Sequence, residues 1–125
     1  IKLLKQSSKN LLNHILDLEG KIVALGASTK GNMICQFLGI SSKQVKCVLD
    51  NNSKKIGKFM TGSNIPIEDE NDWVERLPRY LLVLPYYYID HFIEMVAKNT
   101  MKNQVRYLIV LLPVPRLIKV EGRKQ

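Results

Sequence analysis

An α/β fold is what this sequence predicts: a mostly parallel sheet of about four to five strands with helices on both faces. Three observations predict it. Short β-branched runs alternate with segments of helical periodicity along the chain. The run Lys21 to Leu25 stops at Gly26 and passes through small polar residues into a helical pattern. A second run, Val45 to Leu49, follows within about 30 residues, so strand, helix and strand make a βαβ unit with a right-handed crossover.

Taken in order, residues 1–19 form a lead-in helix. Leu4, Leu11, Leu12, Ile15 and Leu16 share one face, and Gly20 supplies the stop. The first strand is Lys21 to Leu25. After the loop, Asn32 to Leu38 is helical, with Met33, Ile34, Phe37 and Leu38 as its buried face, Ser28 or Thr29 as N-cap and Gly39 as terminator. Val45 to Leu49 is the second strand and closes in Asp50. Asn51 to Asn64 is a polar loop, long enough to be a binding loop. Ile65 to Ile67 adds a short edge segment, since Pro66 argues against a central strand.

Asp69 to Leu77 reads as a short helix with acids near its start and Trp73 as a core anchor. The apolar run Arg79 to Leu84 predicts a central strand, ending in Pro85 and three tyrosines. A helix with Ile89, Phe92, Ile93 and Val96 buried comes next, then a strand over Gln104 to Leu112 closed by Pro113 and Pro115. Residues 116–125 are expected to be a basic tail, frayed from Lys119 onward.

At 125 residues the chain is one domain able to bury a core. It has no initiator Met and begins inside a helical pattern, so it is expected to be a fragment of a longer chain. The longest apolar runs, Leu81 to Leu84 and Leu108 to Leu112, fall far short of the ~20 residues that span a bilayer. No signal-peptide pattern is present. Cys35 and Cys47 match no CxxC or zinc spacing and read as buried reduced thiols, which fits a cytoplasmic protein. The net charge of +8 invites a nucleic-acid reading. However, the basic residues are scattered, and Glu68, Asp69, Glu70, Asp72 and Glu75 concentrate negative charge in one segment. A solvated lysine-rich surface explains the charge better.

The chemical signal is the loop GASTKGN, Gly26 to Asn32. A turn between a strand and a helix gathers free backbone N–H groups and the positive end of the helix dipole, and Lys30 adds a mobile charge. Such a loop favours an anion, above all a phosphate. It lacks both the GxGxxG order and the Walker sequence, and the alternative is a turn with small residues for close packing. Asp50 stands 24 positions after Gly26, near the place where dinucleotide-binding folds set an acid for ribose; an Asp at a strand end is also a common turn former. Tyr86, Tyr87 and Tyr88 either pack on the sheet edge or offer a ring to stack on a nucleobase. His14 and His91 read as solvated helix residues, and no nucleophile–base pair or metal motif is found.

Three stretches together, GKIVALGASTKGNMICQFLGI, VLDNNSKKIGKFMTGSNIPI and LLVLPYYYID, resemble the C-terminal domain of S-adenosylmethionine-dependent sugar C-methyltransferases. That family shows a GAS/A-x-KGN loop, a D-x-N-x-x-K-x-G-x-x-x-x-G-x-x-I-P-I segment and a strand ending in a Pro–aromatic turn. The resemblance runs from about Gly20 to Pro115. It implies a Rossmann-like three-layer sandwich, and a larger enzyme in which a zinc-binding N-terminal part and a central domain precede this one. The central domain would carry S-adenosylmethionine and the catalytic base; no cofactor is expected in this fragment, which alone should be inactive. The partners implied are a nucleotide-linked sugar and the upstream domain, with no membrane.

On that resemblance Ser28, Lys30 and Asn32 would contact the diphosphate or the sugar, Asp50 and Asn52 match the D-x-N pair, and Lys55 or Lys58 would supply charge. Ala27, Thr29 and Gly31 complete the loop, and Tyr86 is the aromatic candidate. One departure stands out: the family often has Trp-Asn after the strand-ending proline, and this chain has Tyr86-Tyr87. The competing readings are an NAD(P)-binding Rossmann module and a non-catalytic basic nucleic-acid-binding domain.

Overall fold

A computed structural model describes residues 2–125. Helix α1 (Lys2–Glu19) leads into β1 (Ile22–Leu25), α2 (Thr29–Leu38), β2 (Val45–Asp50), β3 (Ile67–Asp69), β4 (Tyr80–Val83), α3 (Ile89–Asn99), β5 (Val105–Val110) and β6 (Arg116–Glu121). The strands form one six-stranded sheet in the order β3-β2-β1-β4-β5-β6. Five strands run parallel, and β6 pairs antiparallel with β5. The mixed α/β, mostly parallel architecture is therefore the expected one, with one more strand than the sequence suggested.

Alternation along the strands divides the interior in two. Ile22, Ala24, Val48, Leu82 and Ile109 pack with Leu12 and Ile15 of α1 and Ile34 and Leu38 of α2. Val23, Leu25, Leu49, Leu81, Val83 and Leu108 pack with Phe92 and Val96 of α3 and with Trp73. Burying each of the leucine, isoleucine and valine side chains contributes about 2 kcal/mol. The β1–β2 register slips by one residue, from Ile22↔Val45 to Val23↔Cys47. That bulge leaves Lys46 outside and sends Val45 and Cys47 to opposite cores. Cys35 and Cys47 are free and buried.

Several boundaries differ from expectation, each for a local reason. Helix α2 starts at Thr29, because Ser28 caps it by accepting the Gly31 N–H. Its apolar stripe is wider than the sheet can cover, so Met33 (63% exposed) and Phe37 (41%) face outward, and Cys35 takes a buried place instead. Leu4 also remains 40% exposed. The helix expected over 69–77 is only a 3-10 turn, Glu70–Asp72, followed by irregular turns up to Pro78. Trp73 is nevertheless buried, its indole N–H donating to Glu68 Oε1 at 3.0 Å.

The supposed frayed tail is the edge strand β6. Its RLIKVE pattern alternates, with Val120 buried and Ile118 half-buried. Beyond it, Arg123 donates its backbone N–H to Ala97 O and pairs with Glu94. The edge segment near Pro66 lies at Ile67–Asp69, next to a bridge between Phe59 and Pro66. No described helix is long and apolar enough to cross a membrane.

Candidate functional site

The β1 neighbours set the site. On one side lie β2 and β3, on the other β4, β5 and β6, so successive crossovers leave β1 in opposite directions. A crevice opens at such a point beyond the carboxyl ends of the strands. Here the β1 chain turns at Gly26, whose φ is +87°. The residue has to be glycine for a second reason: a Cβ would run into the Pro85 ring.

The Asp50 carboxylate knits the turn. Its Oδ2 accepts the Ala27 N–H at 2.9 Å and its Oδ1 accepts the Asn52 N–H at 2.8 Å. From the other side, Lys55 Nζ donates to the Ala27 carbonyl at 2.5 Å. Ser28 N–H turns back to Gly26 O, Gly31 N–H reaches Ser28 Oγ and Asn32 N–H reaches Ser28 O. Thr29 and Lys30, the first two residues of α2, keep the N–H groups that a helix start leaves free. Gly31 lets the helix lie against Leu84, the residue that follows β4, since a Cβ there would stand 3.1 Å from Leu84 Cβ.

Two clefts flank this turn. The larger, about 410 Å³, has Gly26, Leu49, Pro85 and Phe92 as its apolar floor, with Asp50, Asn51, Lys55, Glu70, Tyr87, Tyr88 and His91 around it. Its charge is mixed. Glu70 is half-buried, and its pKa is raised, first by desolvation, with Asp50 and Asp69 adding to the rise and His91 opposing it. The second cleft, about 210 Å³, lies between the α2 start and the 54–61 loop and is basic. Ser28, Thr29, Asn32, Lys54, Lys55, Lys58 and Thr61 line it, with Phe59 and Met60. Asn32 Oδ1 is buried there with no hydrogen-bond partner. The long loop is anchored rather than loose: Gly57 N–H donates to Ile67 O, Ile67 N–H to Lys58 O and Met60 N–H to Ile65 O.

The sequence-derived candidates thus separate. Ala27, Ser28 and Lys55 border both clefts. Thr29, Asn32 and Lys58 border the basic one and Asp50 the larger one. Gly31 acts through helix packing. Asn52 is engaged locally, its Oδ1 accepting the Lys54 N–H. The Lys30 ammonium rests over the Tyr87 ring, 4.7 Å from its centre. Tyr86 lines a separate apolar groove with Met33, Ile34, Phe37 and Leu112; Tyr87 and Tyr88 are the tyrosines that face the larger cleft. Asn51, Glu70 and His91 were missed. Their meeting joins three elements, and only the motif neighbour Asn51 carried any sequence signal. Among the described residues, no group of three or more His, Cys, Asp or Glu is arranged to hold a metal ion.

A mixed α/β domain with a capped strand–turn–helix at the switch of its sheet is a scaffold for binding at that edge. The chain belongs to the C-methyltransferase C-terminal domain family, whose model matches residues 1–113. The matched span contains the whole GASTKGN loop, the D-x-N segment and the Pro–tyrosine turn. No match was found among curated proteins.

Proposed function

We propose that this domain holds the nucleotide-linked sugar in an S-adenosylmethionine-dependent sugar C-methyltransferase. The observation that carries the reading is the basic cleft. Three lysines, the free N–H groups of Thr29 and Lys30, the Ser28 hydroxyl and the Asn32 side-chain amide converge at one helix start; the unpaired Asn32 atom, Oδ1, is an acceptor and suits a hydroxyl of the ligand rather than its diphosphate. A diphosphate suits that donor set, because helix N–H groups and ammonium groups both stabilise anionic oxygens. The neighbouring cleft, with Tyr87 and Tyr88 at its wall, has room for the less polar part of such a ligand. The strand order supports a Rossmann-like arrangement with helices on both faces.

Two contacts weigh against S-adenosylmethionine in this domain. The acid at the tip of β2 would have to serve the ribose, yet each Asp50 oxygen accepts a backbone N–H, which ties the carboxylate to the turn and leaves it only part of its lone pairs for a ligand. The Pro85 ring covers Gly26 as well, where a dinucleotide would need close backbone approach. The same two contacts weigh against an NAD(P) module. The donor, the base and the transfer step belong to the rest of the enzyme, and this domain positions the acceptor sugar.

Isothermal titration with nucleoside diphosphates and nucleotide sugars tests the reading. Saturable binding, weakened about tenfold by Lys58→Ala through loss of a charge-assisted contact, is expected. No binding of any of these ligands to the whole enzyme would overturn it.

A further inference from the structure

The opposite edge of the sheet carries an unexplained pair of arginines. The register Tyr80↔Tyr107 brings Arg79 beside Arg106, and the Tyr107 N–H donates to Arg79 O at 2.7 Å. Two guanidinium groups on neighbouring strands repel one another, an arrangement sheets ordinarily avoid. Neither joins an ion pair among the described residues; the pairs that form are Lys119–Glu121 and Arg123–Glu94.

The Arg106 guanidinium is folded onto its own strand. Its Nη1 donates to Val105 O at 3.0 Å and its Nη2 to Gln104 Oε1 at 3.4 Å. That leaves Nε buried without an acceptor. A buried charged donor left unpaired is costly, so a native structure that keeps one invites an account of what satisfies it. Both arginines line a cleft of about 340 Å³ with Asn103, Gln104 and Tyr107. Its position, at the amino-terminal ends of β4 and β5, is the far end of those strands from the Gly26 turn.

We infer that this cleft is a second anion site, taking a phosphate group, free or carried on a small molecule, between Arg79 and Arg106. The charge decides for phosphate over carboxylate: a dianion balances two guanidinium groups, a carboxylate only one. Planar forks of N–H donors also match the tetrahedral oxygens of phosphate two at a time. The side-chain amides of Asn103 and Gln104 add neutral donors at the rim.

The test follows the Arg106 Nε–H resonance by nitrogen-15 NMR at constant ionic strength, with inorganic phosphate, a nucleoside monophosphate and acetate as probes. Saturable movement with either phosphate probe is expected, with the monophosphate distinguishing an esterified source from a free one. Arg79→Gln keeps the Arg106 contacts that hold the strand. It should weaken the phosphate response about tenfold, and without ligand it should be at least as stable as the parent. Lys58→Ala, in the other cleft, should leave the response unchanged. An Nε–H resonance that stays still, or that acetate moves as far as phosphate does, overturns the assignment.

Discussion

The Asp50 carboxylate accepts the Ala27 N–H at 2.9 Å, and this one contact ties the tip of β2 to the turn that follows β1. Its other oxygen holds Asn52, so one side chain shapes both the helix-start turn and the loop carrying the lysines. Asp50→Ala leaves two backbone N–H groups without their acceptor. It should cost about 2–3 kcal/mol in denaturant unfolding. Asp50→Asn should recover only part of this, because its amide can accept through one oxygen only.

Gly26 and Gly31 make a graded pair. At Gly26 a methyl group meets the Pro85 ring and a φ of +87°, so Gly26→Ala should destabilise by roughly 3 kcal/mol. Gly31 has helical backbone and a neighbour at 3.1 Å, so Gly31→Ala should cost about 1 kcal/mol. Thermal unfolding of the two variants should keep that order.

Much of this turn was legible in the sequence. Gly26 at a strand end, a Ser-Thr pair before a helical pattern and an Asp at the next strand tip all reflect local backbone demands, which neighbouring residues reveal. The role of Asp50 was not legible, since an acid at that spacing serves ribose hydroxyls or backbone N–H groups equally well, and only the third dimension decides. The two-cleft division was hidden for the same reason: Glu70, His91 and Tyr88 meet from separate elements. The β6 strand was visible in the alternation of Arg116 to Glu121, but its proline and basic surroundings made it read as a tail. Met33 and Phe37 show the limit of periodicity, which finds an apolar stripe without telling how much of it a sheet will cover.

Glu70 gives a pH prediction. Desolvation raises its pKa above the ordinary 4.5. The folded state then binds more protons than the unfolded chain just above that value. Its contribution to stability is full below about 4.5 and is lost as pH rises through the raised value. Glu70→Gln should therefore be more stable than the parent at neutral pH and should flatten this part of the stability–pH curve, as read by chemical denaturation across pH 4 to 8 or so.

Both thiols should be inert in the native protein. Burial pushes Cys35 up to about 11. Burial, with Glu68 adding charge repulsion and a hydrogen bond, pushes Cys47 up to about 12. The thiolate is the reactive form, so a thiol reagent at neutral pH should label neither residue until denaturant is added, and then both. Rapid native labelling of Cys47 would mean that the face under Trp73 opens.

The most direct measurement is a nitrogen-15 NMR titration of the backbone with a nucleoside diphosphate. Saturable shifts of the Thr29 and Lys30 N–H resonances, with Asn32 and the lysine loop moving at the same ligand concentration, are the predicted result. Still resonances at Thr29 and Lys30, while the rest of the spectrum reports binding elsewhere, would contradict the claim that the α2 start receives the diphosphate.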